Sequence, residues 1–227
     1  MEQDKSAVNK TSDKALYFTK ISVDDIKKVR EWLWNELKIA EEIDIGIPER
    51  KFLRDLESAV FWVNYDYWIA NLEPSINEGK IHYSKGEKPG GFFSPKQYME
   101  MAKNYAPERG SRLAFVDELL VWYALRIVNK QWTLQYVASD SSSDGNYRNA
   151  PNMAGCMEPT GVRKCGGYYD GQGNTRKIAT EGFTHKYALL GGTYCSDGDK
   201  RPVGKIDYNV FFDSILFDCT GVVVLTR

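Results

Sequence analysis

Val23, Ile26, Val29, Leu33 and Leu37 recur at three- and four-residue spacing, which predicts an amphipathic helix over 23–38. Ser22 stands where an N-cap belongs, and Asp24 and Asp25 fall in the first turn, where the helix dipole favours acids. The preceding run 15–21 has strand character, and the polar residues 1–14 are expected to fray. Pro48 opens a second predicted helix that carries Phe52 and Leu56 to about Ser58. Residues 60–72 are so uniformly aromatic and apolar that a strand and a continuation of that helix fit equally well.

Pro74, Gly79, Gly86, Pro89, Gly90 and Gly91 then mark a loop region. It is the expected boundary between an N-terminal segment, 1–75, read as an attachment or oligomerisation unit, and a second domain, 76–227. Ser94 and Pro95 cap and open a helix that runs to Ala102 or Tyr105, residues 107–111 make a turn, and a long helix is predicted over 115–128. Beyond it the character changes. Short β-prone runs at 132–137, 187–190 and 222–225 are separated by long stretches rich in Gly, Ser, Asp and Asn. Long loops of this kind in a compact domain commonly carry function.

Charge narrows the partners. Thirty Lys and Arg against 31 Asp and Glu leave a net charge of -1, which gives no general attraction to nucleic acid or to an anionic membrane. No apolar run approaches the roughly 18 residues that span a bilayer, and no signal peptide is visible, so a cytoplasmic or virion location and no membrane insertion are expected. The four cysteines, Cys156, Cys165, Cys195 and Cys219, have no CxxC spacing and the chain holds two histidines, His82 and His185, a poor donor set for structural zinc. Six Trp, 14 Tyr and 10 Phe suit either a large core or a recognition surface, because these rings bind with little loss of entropy.

Three blocks carry a resemblance. Residues 94–105 are followed by Gly110-Ser111-Arg112-Leu113 and then by a helix with Asp117-Glu118-Leu119. This is similar to the two-helix signature of the formylglycine-generating-enzyme-like, C-type-lectin-fold superfamily, in which an Arg-Leu-Pro-Thr-Glu-type sequence starts the second helix; Ala114 stands at the proline. Ala188-Leu189-Leu190-Gly191-Gly192-Thr193-Tyr194 resembles the family's Arg-Gly-Gly-Ser-Trp strand. Gly221-Val222-Val223-Val224-Leu225 resembles its terminal Gly-Phe-Arg-Val-Val strand, with Val222 and Val223 at the Phe and Arg. The resemblance covers about 94–227. It implies an α+β, C-type-lectin-like fold of two helices, a small antiparallel sheet and long loops, preceded by the mainly helical N-terminal segment.

The family includes copper oxidases, iron-dependent sulfoxide synthases, and ligand-binding proteins such as phage adhesins and the variable proteins of diversity-generating retroelements. A copper site needs two nearby thiolates, but Ser196 to Arg201 follow Cys195 without a second cysteine, and Cys219 lies 24 residues on. Two histidines do not make a histidine-rich iron site, and no Gly-x-Ser-x-Gly elbow is present. The expectation is therefore a non-catalytic binding protein, an adhesin or receptor-binding protein of phage or bacterial origin. Its ligand would be a protein or glycan on a cell surface, and it could form a homo-oligomer. A structural virion or tail component is the alternative, with a divergent metal-dependent oxidase behind it.

The expected contact residues are Tyr147, Tyr168, Tyr169 and Asp170 in or near the glycine-rich stretch 166–174, then Tyr194, Asp197, Asp199 and Arg201 after the Gly-Gly strand. Asp140, Asp144 and Asn146 place oxygen donors before and after a glycine, as in the first half of a calcium loop, although Pro151 occupies the place of the bidentate glutamate. Calcium is thus a candidate ion. Glu158-Pro159-Thr160 is a distant counterpart of the Glu-Pro-Asn sugar-binding motif and lacks its Asn carbonyl.

Overall fold

A computed structural model describes residues 17–142, 146–149, 156–159, 164–165, 168–169, 174–182, 186–210 and 212–227, with backbone alone at 164, 165, 168, 169 and 209. The elements run β1 (Phe18–Ile21), α1 (Val23–Glu42), α2 (Ile47–Trp62), β2 (Tyr67–Ala70), β3 (Ser75–Asn77), β4 (Lys80–His82), α3 (Pro95–Tyr105), β5 (Arg112–Leu113), α4 (Val116–Val128) and α5 (Leu134–Ala138). The second half follows with β6 (Lys164–Cys165), β7 (Tyr168–Tyr169), β8 (Arg176–Thr180), β9 (Tyr187–Leu190), β10 (Ile206–Val210), β11 (Cys219–Gly221) and β12 (Val223–Leu225). The chain is α+β, and among the described residues no helix is long and apolar enough to cross a membrane.

Local signals set the helix starts. The Ser22 hydroxyl accepts the Asp25 N–H, and the Asp25 carboxylate accepts the Ser22 N–H, closing a capping box on α1. Ser94 and Gln97 repeat it on α3. Helix α1 runs one turn past its predicted end because nothing before Gly46 breaks it. The ambiguous stretch 60–72 is divided: α2 takes residues to Trp62, and β2 begins at Tyr67.

The first four-stranded sheet has the order β1-β2-β12-β5, all antiparallel, so strands near both ends of the described chain lie side by side. The second has the order β10-β9-β8-β11 and includes a parallel pair, β8 with β11. The chain itself passes directly between them near its end. β11 lies in the second sheet and β12 in the first, and Val222 between them gives its carbonyl to the Ala114 N–H. Gly221 is fixed by close approach, since a Cβ there would stand 2.6 Å from the Tyr98 ring and 2.7 Å from Leu113.

Four expectations are corrected. Residues 132–137 are not a strand: Thr133 caps α5 by accepting the Tyr136 N–H at 3.1 Å, and this local bond outweighs the β-prone composition. The region 73–93 is not wholly loop, because β3 and β4 form a hairpin whose two turn residues, Glu78 and Gly79, both have positive φ. The sheet is not purely antiparallel, and three described helices, not two, follow residue 76. The position 75/76 lies inside β3, β2 pairs with β12, and the main core mixes Leu33, Leu53 and Leu56 with Leu119, Leu120 and Val224.

Glu118 binds these parts together. Its carboxylate is fully buried. It accepts both terminal nitrogens of Arg112 at 2.8 and 2.6 Å, the Phe115 N–H at the start of α4 at 2.8 Å, and the Tyr65 hydroxyl at 2.9 Å. The Tyr67 hydroxyl donates to the Glu118 carbonyl at 2.8 Å. The lead-in to β2, strand β5 and helix α4 thus meet on one residue. Burial and the Glu118 charge push the Tyr65 phenol well above its usual range, so it stays a donor. Replacing Glu118 by Ala strands the Arg112 charge and is expected to cost about 3–5 kcal/mol in urea unfolding. Tyr65→Phe should cost about 1 kcal/mol. A Glu118→Ala loss below about 1 kcal/mol would show that the pair holds nothing.

Candidate functional site

The loops after α5 are tied to the scaffold by a second buried carboxylate. Glu73 pairs with Lys177, and both side chains are almost wholly buried. Glu73 also accepts the Thr175 N–H at 2.9 Å, the Thr175 hydroxyl at 2.5 Å and the Asn174 carboxamide N–H at 2.5 Å. The hydroxyls of Thr175 and Thr220 lie 2.7 Å apart. Asn174 extends the network outward: its Oδ1 accepts the Glu158 N–H at 2.7 Å and the Asn146 carboxamide at 3.0 Å, and its Nδ2 donates to the Glu158 carbonyl at 3.0 Å. Asn146 also donates to the Cys156 carbonyl at 2.9 Å. A chain of satisfied polar groups therefore runs from Glu73 to loops 146–149 and 156–159.

Two expected site residues are buried. Asn146 is fully buried, and its carboxamide nitrogen donates to both the Cys156 carbonyl and Asn174. Tyr147 is fully buried too, with its ring under Gly192, where a Cβ would stand 3.0 Å from Tyr147 Cε1. Asp140 accepts the Ser142 N–H at 3.0 Å and its hydroxyl at 2.5 Å, a local Asx turn. Asp144 and Asp170 lie outside the described residues. Tyr168 and Tyr169 form β7 against β6, and their side chains are outside the description. Among the described residues no cluster of three or more His, Cys, Asp or Glu is placed to hold a metal ion.

The segment after β9 folds over these loops. Gly191 has φ +74°, a left-handed conformation that favours glycine. At Gly198 a Cβ would meet the Ser142 backbone at 2.5 Å. Asp197 receives a bidentate grip from Arg148, at 2.8 and 2.7 Å, and Lys200 at 3.0 Å. Asn149 accepts the Gly198 N–H at 2.7 Å and donates to Asp199 at 3.0 Å. Arg201 and Arg176 converge on Asp207. Asp197, Asp199 and Arg201 lie in one segment, and each is engaged by a neighbour within the chain.

The least internally engaged part of this surface is apolar. Phe92 and Phe217 are 52% and 65% exposed, and their rings meet edge to face at 5.2 Å between centroids. Ile215 is exposed beside Phe217 in sequence. Phe92 has φ +67° and Asp218 φ +55°, conformations that residues with a side chain rarely adopt. The Phe92 N–H is held by the Leu216 carbonyl at 3.1 Å, and Phe93 bridges Leu216. Gly91, next to Phe92, lies beside Asp218 and the Met157 methyl, each 3.7 Å from a Cβ built there. Tyr194 is half-buried. Its hydrogen bond with Cys195 and the charge of Asp218 raise its hydroxyl above the ordinary value, and Cys156 lies within the same electrostatic range. Loops 91–93, 156–159 and 212–218 therefore adjoin. Sequence reasoning passed over Phe92, Ile215 and Phe217. The signal was there in apolar runs, Phe92-Phe93 and Ile215-Leu216-Phe217, inside segments flanked by Gly, Ser and Asp.

No family model matches the chain, and no curated protein does. Among solved structures it is similar to Treponema denticola variable protein 1, with 11% identity over 71% of this chain and 85% of that chain and a TM-score of 0.46. A likeness at this level assigns no family and no function.

The ion pairing of Asp197 has a measurable signature. Hydrogen bonds and charge from Arg148 and Lys200 hold its pKa far below the ordinary 3.8. A depressed carboxylate pKa stabilises the folded chain above that ordinary value, and the contribution is lost as pH falls below it. Carboxyl NMR titration is expected to show Asp197 titrating last among the aspartates. Arg148→Ala should move its midpoint up toward 3.8. An unchanged midpoint in that variant would show that the pairing is not formed in solution.

Proposed function

We propose that the protein is a non-catalytic ligand-binding protein of C-type-lectin-like architecture, and that its ligand face is the loop surface bearing Phe92, Ile215 and Phe217 beside Tyr194. The ligand is a protein or glycan on a cell surface, the role of an adhesin. The observation that carries this reading is the Phe92–Phe217 pair. A bulky residue at positive φ costs on the order of 1–3 kcal/mol, and such strain persists where it serves a site. At Phe92 the strained backbone accompanies a ring that stays in solvent, where it adds little to the core. A rigid aromatic pair in a polar rim is the composition of a binding hot spot. Asp197, Asp199 and Arg201, assigned to the same ligand face in this reading, are already paired and so held in place before a ligand arrives.

Screening the purified protein against glycans and bacterial surface extracts, with and without calcium, tests the reading. Selective binding is expected. Phe217→Ser should weaken it about 30-fold, the effect of losing about 2 kcal/mol at a hot spot. Phe92→Gly, which removes ring and strain together, should be at least as stable as the parent in thermal unfolding while losing the same affinity. Binding indifferent to both substitutions, or silence across every probe, would remove the loop face from consideration.

A further inference from the structure

The face of α2 turned away from the core carries a pattern of its own. Phe52, Leu53, Leu56, Ala59 and Val60 form the buried stripe. Ile47, Arg50, Arg54, Glu57 and Phe61 form a second stripe at i, i+3, i+7, i+10 and i+14, the spacing by which one helix lies along another. Its ends are apolar and in solvent, with Ile47 84% and Phe61 72% exposed. Its middle is charged, and among the described residues neither Arg54 nor Glu57 has an ion-pair or hydrogen-bond partner. Across a groove of about 770 Å³ stands the half-exposed Trp34 of α1, and the groove is lined by Arg30, Trp34, Arg54, Glu57, Val60 and Phe61.

We infer that this face docks a second copy of the chain, with the two α2 helices antiparallel about a two-fold axis near Arg54. A two-fold contact uses one patch twice, so the patch must complement itself. This stripe does. Antiparallel overlap brings Ile47 of one copy onto Phe61 of the other at both ends. In the middle the two Arg54 flank the axis, each within reach of the Glu57 of the opposite copy, so the like charges at the axis are balanced by opposite ones one turn away. The overlap runs the length of α2, about 24 Å at 1.5 Å per residue, and it covers Trp34 and the groove. A patch of one charge sign, or one apolar at a single end, would not satisfy the symmetry. None of these residues belongs to the loop face.

Sedimentation velocity and light scattering on the full chain, across roughly 1 to 100 µM, read the association directly. A dimer is expected. Arg54→Glu and Glu57→Arg should each weaken it at least tenfold by opposing like charges, and Phe61→Ser should weaken it as well. All three positions are exposed, so circular dichroism should be unchanged. The double variant Arg54→Glu/Glu57→Arg restores opposite charges across the axis and should return the association to within about threefold of the parent. A monomer throughout the range overturns the inference and leaves the groove to a different occupant. A dimer unaffected by the single reversals, or one that the double reversal fails to restore, overturns it too.

Discussion

Three segments that open β2, β5 and α4 meet at the Glu118 carboxylate. A charge with no access to water is tolerated only when each of its oxygens is hydrogen-bonded and an opposite charge lies within contact distance. Glu118 meets both conditions with groups from three places: Arg112 in β5, the Phe115 N–H that opens α4, and Tyr65 ahead of β2. Arg112 is fixed in turn, its guanidinium lying 3.9 Å from the centroid of the Phe115 ring. Because β2 and β5 flank β12, the strand formed near the end of the chain, this cluster orients both neighbours of that strand. The connection at Val222 then carries the orientation into the second sheet and its loops.

The Glu73 network does related work for a different purpose. Glu118 joins regular elements, whereas Glu73 and Lys177 anchor segments with little secondary structure of their own. Backbone in such segments lacks ladder partners, and buried N–H and C=O groups must find others. Asn174 and Asn146 supply them to Cys156 and Glu158. The loops are therefore built outward from a polar core, and removing one amide would leave several partners unsatisfied at once.

Much of the first half of the chain was legible because its signals are local. Ser22, Ser94 and Pro48 mark helix starts through contacts within one turn, and the apolar spacing of α1 and α4 needs no tertiary information. The helix start at Arg112–Glu118 was legible too, although its partner Tyr65 was not, being 53 residues from Glu118 in sequence. Pairing of β2 with β12 was not legible either, since nothing local encodes a contact between residues 69 and 224. The 132–137 segment was misread because β-branched and aromatic composition is a weaker signal than one well-placed cap at Thr133.

The site was harder to read for a reason general to loop-borne surfaces. Asp, Asn, Arg and Tyr in a long loop look like ligand contacts because they offer hydrogen bonds. A loop must first satisfy its own backbone and charges, and here Asn146, Asn149, Asp197 and Asp207 are engaged in doing so. Tyr147 is engaged likewise, as the floor beneath Gly192. What remains without such engagement is an exposed apolar pair. Phe92 and Phe217 meet that description: their rings touch each other and solvent, and the backbone beneath Phe92 is strained. In a segment held together by polar contacts, an exposed apolar pair above a left-handed backbone breaks the local pattern, and it is on that departure that the proposed ligand face rests.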